Sequence, residues 1–406
     1  MSTAGLRLVG VTIGLALAGA AMVVLVPQVA PRGSAGPVLS DCDGALRTIA
    51  VHYTPHGAFA LPAYREFVRQ LPADVEVLVA CPDRAAFDEL AAALGDVPCR
   101  LTPAVAGHEM TVWSRDRWLA MGIGSDGRTL LVPPRQEAGS GVWPQRAGDE
   151  RIAADLAAAL PRRIAAYRSH LAFDGGDFVC DSETAFVTPA VARRNIQHTV
   201  QSRQELVREL EKLLRKRVVL LEEAPDHHAG MFMMAAGNRT VLVGDPSLAV
   251  PLPLPSGEVA SAAQPQTRVR ALGTPGARHA LTPALSQGER EIIGDLPDGV
   301  DTSTETQAKF DAVAGRAAAE GYRVLRIPLL PSRNGRVFVT YLNVILDQRD
   351  GRRIVYMPVY RGYESLNDAA EAVWRSVGCE VRRVDCTDVF VHFGSLRCLV
   401  NVVQRG

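Results

Sequence analysis

The sequence has no excess of either charge, because 44 Lys and Arg residues balance 44 Asp and Glu residues. Aromatic residues are also few, at 6% of the chain. Nucleic-acid binding needs a basic surface, often with interleaved aromatic residues, so we expect no nucleic-acid partner. No Cys-x-x-Cys pair occurs, and the cysteine spacing therefore gives no indication of a zinc site. We expect neither a metal nor a cofactor.

Long hydrophobic runs are rare, and the exception lies at the N-terminus. Residues 8–26 carry no charge, are almost wholly apolar and follow Arg7. Their length suits the apolar part of a secretory signal or a marginal membrane span. Pro31 makes cleavage after Ala30 unfavourable, so cleavage and retention as an anchor both remain open. Either outcome predicts an exported protein, periplasmic or otherwise extracytoplasmic, whose membrane contact is made through residues 8–26.

Composition divides the rest of the chain into a linker and one domain. Hydrophobic residues make up 47% of the sequence, enough for a large core. We assign residues 1–30 to the signal or anchor, 31–44 to a Pro/Gly/Ser-rich linker and 45–406 to a single domain. Within that domain, residues 251–298 are rich in Pro, Gly, Ser, Ala and Arg and lack a sustained period, which predicts a disordered insertion. The oligomeric state stays open.

The chain has seven cysteines, an odd number that leaves at least one thiol unpaired in an exported protein. Cys81 with Cys99, and Cys379 with Cys386, are close enough in sequence to pair locally, although connectivity does not follow from sequence. Cys398 comes after a Gly-Ser break between two apolar runs, predicted to be strands. A thiol in that place is a candidate nucleophile, and the alternative is a small buried apolar residue.

Hydrophobic periodicity predicts alternating strands and helices. We expect buried strands at 48–53 and 75–80, and helices at 61–71, 85–94, 200–214 and 366–377. Five segments then repeat one pattern. Each begins with an apolar strand that has polar residues at its centre, at 111–118, 173–179, 228–233, 340–346 and 389–401. In the first four, a turn and a second apolar strand follow, at 129–133, 185–189, 240–246 and 354–358. Their spacing is roughly 55 to 60 residues, apart from the interval that holds the insertion. Five such units closed in a ring would bury their apolar faces and bring the polar centres together.

The polar residues of these centres form a chemically coherent set: Arg115, Asp116, Asp174, Asp177, His228, Asn343 and Cys398. They include one nucleophile, one base and several carboxylates. Carboxylates that face one cavity repel each other unless a cation lies between them, and a guanidinium supplies that cation with bidentate geometry. Structural roles stay open for some of them, since Asp116 can pair with a neighbouring arginine, and the two aspartates around Gly175-Gly176 can form a simple turn.

Three of these motifs resemble those of a known family. Trp113-x-Arg115-Asp116, the run Phe173-Asp174-Gly175-Gly176-Asp177 and the fragment at 341–344 resemble the guanidine-modifying superfamily, the pentein α/β-propellers. Within it, the agmatine deiminase and bacterial peptidylarginine deiminase-like branch is the most similar. The resemblance covers about residues 45–405 and implies an α/β fold, a five-module propeller with pseudo-five-fold symmetry.

The resemblance also implies a function, a deiminase-type hydrolase that acts on a guanidine C–N bond without a cofactor. With the apolar run at 8–26, the enzyme is expected to be exported. The partner would be a small guanidine-containing substrate, agmatine- or arginine-like, or a peptidyl-arginine. Cys398 would form a thiouronium intermediate, His228 would transfer protons, and Asp177 would orient the histidine or bind the guanidinium. The residues expected to contact the substrate are Asp116, Trp113, Asp174, Arg115 and Asn343.

Two residues depart from the family pattern. Gly230 stands where the family's His-x-Asp motif has its aspartate, and Arg397 stands where a histidine commonly precedes the nucleophile. Removing one partner of a buried ion pair costs roughly 3–5 kcal/mol. We expect Gly230 to leave a gap in the site and Arg397 to place a positive charge near a cationic substrate. A catalytically impaired homologue that acts as a binding protein, or an amidinotransferase, therefore remains an alternative.

Overall fold

A computed structural model describes residues 35–136, 144–249, 296 and 298–406. The predicted signal or anchor at 1–30 lies outside these ranges, and so does nearly all of the predicted insertion at 251–298. Within the described ranges, no helix is both long and apolar enough to cross a membrane.

The described residues form short strands that are mostly buried. In chain order they are β1 (Leu46–His52), β2 (Glu76–Cys81), β3 (Arg100–Val105), β4 (Leu119–Ile123), β5 (Thr129–Val132), β6 (Ile164–Ala166), β7 (Phe178–Cys180), β8 (Thr184–Val187), β9 (Arg217–Leu220), β10 (Met233–Ala235), β11 (Thr240–Asp245), β12 (Arg323–Pro331), β13 (Phe338–Thr340), β14 (Ile345–Arg349), β15 (Arg352–Val359), β16 (Cys379–Asp385) and β17 (Val400–Arg405).

Helices separate many of these strands. They are α1 (Leu61–Arg69), α2 (Arg84–Leu94), α3 (Pro144–Asp149), α4 (Ile152–Ala159), α5 (Pro189–Asn195), α6 (Arg203–Leu214), α7 (Thr304–Ala319), α8 (Glu364–Ser376), α9 (Thr387–Phe390) and α10 (Leu396–Leu399). The four helices predicted from periodicity are confirmed to within a few residues by α1, α2, α6 and α8.

Helix α6 shows why the helical predictions succeeded. Ser202 caps its first turn by accepting a hydrogen bond from the Glu205 amide, a common helix-start signal. Leu206, Leu210 and Leu214 recur at a spacing of four residues and are all fully buried. A stripe of this kind holds a helix on the core through one face.

The strands are organised in five sheets that share one pattern of strand pairing. In each sheet an antiparallel pair is extended by a parallel strand, as in β7-β8-β9 and β14-β15-β16. The parallel step needs a crossover, which helices provide, for example α8 between β15 and β16. The last strand, β17, pairs antiparallel with β1 and so joins the two ends of the described chain in one sheet. No closed barrel forms among the described residues.

Residues 35–44, part of the predicted linker, pack against the body of the protein. Val38 forms an isolated bridge with Met121 and is buried, and Cys42 is buried as well. The Asp41 amide donates to the Cys180 carbonyl. These contacts place the Asp41 side chain inside the protein.

The predicted strand at 389–393 is wrong. Helix α9 ends at Phe390, and a turn follows in which Phe393 has a φ of 70°. Gly394 then passes so close to Trp113 that a Cβ there would lie 2.4 Å from the indole ring. The polar segments around residues 115, 175, 228 and 343 are likewise turns or short 3-10 helices beside the strands instead of strand centres.

Candidate active site

Most of the predicted site residues line one cavity of about 830 Å³. The structure brings together six of the eight: Trp113, Asp116, Asp174, Asp177, His228 and Cys398. They come from four separate turns or short helices, each next to a buried strand. The assembly of distant turns around one cavity agrees with the expectation that the repeated polar segments meet.

Cys398 lies in the short helix α10, and its backbone is held on both sides. Its amide donates to the Asn343 side-chain oxygen at 3.2 Å, and its carbonyl accepts from the Arg115 amide at 3.2 Å. Asn343 is fully buried, and Arg115 directs its guanidinium to Asn401 at 3.0 Å. Neither residue lines the cavity, so in this structure they hold the backbone of Cys398 instead of facing the cavity.

His228 lies between the cysteine and two carboxylates. Its Nδ1 is 3.7 Å from Asp116 Oδ1, and its Nε2 is 3.5 Å from Asp174 Oδ2. Burial lowers the pKa of His228, but Asp116, Asp174 and a hydrogen bond with the Cys398 side chain raise that pKa well above its usual value, with a further contribution from Asp177. These neighbours therefore favour the protonated form of the imidazole, which is placed to donate a proton into the cavity.

The two glycines between Asp174 and Asp177 make room for the surrounding groups. A Cβ on Gly176 would lie 2.5 Å from His228 Nδ1, and one on Gly175 would lie 2.2 Å from the Arg115 carbonyl oxygen. Real Cβ atoms do not approach other atoms this closely. The sequence motif is thus explained by the close packing of the histidine ring and the backbone against this turn.

Asp177 lines the cavity and also holds the turn that contains it. Its Oδ2 accepts a hydrogen bond from the Asp174 amide at 2.8 Å, and its Oδ1 accepts one from the Thr188 hydroxyl at 3.0 Å. Asp177 therefore helps to form a turn, which is the alternative role given in the sequence analysis. Burial raises the pKa of Asp177, and the neighbouring Asp174 adds to this, against the lowering by His228 and Arg194. The two hydrogen bonds fix its carboxylate at the cavity wall.

Asp116 offers an acceptor that the described residues leave unused. Its Oδ2 accepts from Arg146 at 3.0 Å, but no hydrogen bond within the described chain reaches the buried Oδ1. Of the neighbouring arginines, Arg115 bonds Asn401, and Arg117 bonds Asp174 and Glu150. A ligand N–H could satisfy this oxygen.

Arg146 is a site residue that the sequence analysis missed. It projects from α3, outside the five repeated segments, and no local pattern distinguishes it. Its Nη1 donates to Asp116 Oδ2 at 3.0 Å and its Nη2 to Asp174 Oδ2 at 2.9 Å. Burial raises the pKa of Asp174, but His228, Arg146 and Arg117 lower it well below its usual value. The two carboxylates therefore hold a guanidinium already.

The predictions for Gly230 and Arg397 are corrected by the structure. Arg397 turns away from the cavity and donates to Asp41 Oδ1 at 2.8 Å and to the Phe178 carbonyl at 2.8 Å. A Cβ on Gly230 would lie 2.8 Å from Arg397 Nη1, so the guanidinium occupies the expected gap. The two departures from the family pattern are thus in contact, and Asp41 supplies the countercharge that the sequence did not reveal.

One wall of the cavity is aromatic. Phe59 stacks on His392 with ring centroids 3.9 Å apart and lies 6.0 Å from the Trp113 ring at a tilt. Phe393, beside them, is 47% exposed. Sequence reasoning found Trp113 but missed the other three. His392 and Phe393 were missed because residues 389–393 were assigned to a strand, and Phe59 because it lies in a 3-10 helix outside the repeated segments. Such a wall can hold an apolar or aromatic part of a ligand.

Two other predictions concern the cysteines and metal binding. All seven cysteines lie within the described residues, and none forms a disulfide, so the local pairs left open by the sequence are not made. In the part of the chain that is described, no three His, Cys, Asp or Glu side chains are grouped as metal ligands.

No protein-family model matches the sequence, and no curated protein does either. The structure, however, matches solved structures of agmatine deiminases. A substrate-bound agmatine deiminase from C. jejuni aligns with a TM-score of 0.61 and 12% identity, covering 91% of this chain and 96% of that one. The agmatine deiminase of Enterococcus faecalis gives a TM-score of 0.62 and 12% identity, covering 94% of this chain and 100% of that one. The chain therefore has the mixed α/β fold of these agmatine deiminases, and the resemblance is confirmed at the level of the fold.

Proposed function

We propose that the protein is a deiminase-type hydrolase that cleaves a guanidine C–N bond, with Cys398 as nucleophile and His228 as proton donor. The observation that carries this proposal is the shared cavity, in which Cys398, His228, Asp116 and Asp174 meet. The carboxylate pair accepts a guanidinium with two hydrogen bonds, as Arg146 demonstrates. A guanidine substrate bound there would lie beside the thiol and the imidazole. The likeness in fold to agmatine deiminases supports the same reaction class.

The chemistry follows from these positions. The Cys398 thiol loses its proton to solvent, and the thiolate attacks the guanidinium carbon and forms a C–S bond while the C=N electron pair moves onto nitrogen. His228 gives its proton to one nitrogen, whose bond to the carbon then breaks and releases ammonia or an amine. The neutral His228 next takes a proton from water, whose oxygen attacks the thiouronium carbon. Cleavage of the C–S bond releases a ureido product and restores the thiol and the protonated imidazole.

Three finer statements belong to the same proposal. The substrate is agmatine-like, arginine-like or a peptidyl-arginine, since the cavity joins carboxylates to an aromatic wall. The five sheets form a five-module propeller with pseudo-five-fold symmetry, which the repeated strand pairing supports. The chain is exported by residues 1–30, which its apolar run at 8–26 supports, with residue 45 as the start of the main domain and 251–298 as an insertion.

Ammonia release from a panel of guanidines tests the reaction. At least one of agmatine, arginine and an arginine-containing peptide should release ammonia. Cys398→Ala should abolish this turnover, and His228→Ala should reduce its rate by about 10²–10⁴. The proposal fails if no guanidine reacts, or if Cys398→Ala retains the activity of the unaltered protein.

A binding protein is the second candidate, and Arg146 favours it. Because Arg146 already pairs with Asp116 and Asp174, the cavity could retain ligands without positioning a guanidinium for attack. Saturable binding of a panel member, with no ammonia released over many hours, would identify this function. Detectable turnover that depends on Cys398 would exclude it.

A further inference from the structure

Arg146 bonds the carboxylates of Asp116 and Asp174, one with each terminal nitrogen of its guanidinium. Nη1 bonds Asp116 and Nη2 bonds Asp174, at 3.0 and 2.9 Å. Parallel hydrogen bonds of this kind match the planar fork of a guanidinium, and an ammonium cannot reproduce them. The side chain is 25% exposed and lines the same cavity as Cys398 and His228. A resident guanidinium therefore fills a binding position suited to a guanidinium ligand.

The position of Arg146 is fixed by the rest of α3 and the residue after it. Asp149 is buried and accepts both the Thr111 amide at 2.7 Å and the Thr111 hydroxyl at 2.6 Å. Glu150, which follows α3, pairs with Arg117. A Cβ on Gly148 would lie 1.8 Å from the Glu109 carbonyl oxygen, which shows how closely the helix packs on the chain beside the cavity.

We propose that Arg146 is a specificity-determining residue that competes, from within the chain, with small guanidinium cations for Asp116 and Asp174. This inference rests on the proposed function and concerns its substrate class. A ligand that has only a guanidinium must displace the Arg146 guanidinium from the two carboxylates. It forms the same hydrogen bonds that Arg146 gives up, so its net binding free energy is small. A substrate must add contacts elsewhere, and the aromatic wall at Phe59, Trp113 and His392 provides them. The favoured class is therefore a guanidine joined to an apolar or aromatic group, above a short free guanidine.

Methylguanidine is a suitable probe, because it carries a guanidinium and almost nothing else. Its affinity is measured by isothermal titration calorimetry on the full chain carrying Cys398→Ala, so that no turnover interferes. Adding Arg146→Gln should tighten binding about tenfold or more, because a site occupied by a competitor binds in proportion to the fraction left free. Adding Arg146→Lys should also tighten binding, since lysine keeps the charge but cannot form the fork.

Arg194→Gln is the matched control. Arg194 lines the same cavity and is 24% exposed, but it lies 3.7 Å from Asp174 and 3.6 Å from Asp177, beyond hydrogen-bond distance. This variant removes one positive charge but leaves Arg146 bonded to Asp116 and Asp174. Its affinity for methylguanidine should change by less than about threefold. An equal gain in the Arg146→Gln and Arg194→Gln variants would assign the effect to charge alone and overturn the inference. Unchanged or weaker binding in both Arg146 variants would overturn it as well.

The inference and the proposed function can fail separately. Tighter methylguanidine binding by Arg146→Gln, with no ammonia released from any guanidine when Cys398 is intact, would retain the competition and reject the hydrolase. Turnover by the unaltered protein, with methylguanidine affinity unmoved by Arg146→Gln, would retain the hydrolase and reject the competition. If Arg146→Gln does not fold, as judged by circular dichroism, Arg146→Lys against Arg194→Gln decides the result.

Discussion

Three carboxylates and the thiol beside it raise the pKa of His228. Burial acts in the opposite direction, and Asp116 at 3.7 Å is the largest of the influences that raise this pKa. A protonated imidazole suits the first half of the proposed reaction, in which a nitrogen must leave as a neutral molecule. The choice between acid and base at this residue thus depends on groups contributed by other segments.

The pH profile of ammonia release reports this arrangement. The pKa of His228 is raised, so the protonated form is present below that pKa and is lost as pH rises through it. We expect kcat/KM to fall on an alkaline limb that lies well above the ordinary histidine value of 6.5. Asp116→Asn removes the largest raising influence and should move the limb to lower pH. A limb at or below pH 6.5, or one that Asp116→Asn leaves in place, would contradict the assignment.

The glycine-rich turn Gly175–Asp177 is the element that positions the histidine. It is a short 3-10 helix whose two glycines admit His228 on one side and the Arg115 carbonyl on the other. Because Gly176 packs directly against the His228 ring, the turn and the histidine are coupled although some fifty residues separate them in sequence. A side chain added to this turn should act on catalysis through the position of the imidazole.

Gly176→Ala tests that coupling. The new methyl group would lie 2.5 Å from the His228 ring and must displace it, so we expect a loss of about 10²–10⁴ in kcat/KM for ammonia release. Gly315→Ala, inside helix α7, is the matched control, since its Cβ would meet no atom within 4 Å. Its activity should equal that of the unaltered protein. Equal activity in the Gly176→Ala variant would show that the ring position does not matter.

Sequence patterns predicted elements better than turns. Helix α6 and its buried stripe follow from periodicity and a capping serine, both of which are local. The turn at Phe393 depends on the packing of Gly394 against Trp113, a contact that no local pattern encodes. Motifs likewise identified Cys398 and most of its neighbours. Arg146 could not be found, because its role comes from where α3 packs and not from the residues around it.

Across the whole molecule, Asp41 connects the first described segment to the last helix. Its carboxylate accepts Arg397 Nη2 at 2.8 Å and lies 3.7 Å from Arg115 Nη2. Both arginines are nearly fully buried. Burial raises the pKa of Asp41, but the two guanidinium groups lower it below its usual value. Residues 35–44 therefore contribute the negative charge that stabilises two buried cations close to Cys398.

Asp41→Asn should destabilise the protein strongly. It leaves two buried cations without their countercharge, and we expect a loss of about 3–5 kcal/mol in the free energy of unfolding, measured in urea. Asp88→Asn breaks the exposed pair with Arg84 on helix α2 and should change that free energy by about 0.5 kcal/mol or less. If the two variants unfold at the same urea concentration, Asp41 has no such role.

The most direct test of the central claim is to trap the intermediate on Cys398. The unaltered protein is mixed with a guanidine that releases ammonia, quenched in acid during turnover and digested for peptide mass spectrometry. We predict an adduct with the mass of the substrate less ammonia on the peptide that contains Cys398, and no adduct on the other six cysteines. Ammonia release at full rate with no adduct on Cys398, together with activity in Cys398→Ala, would contradict the account.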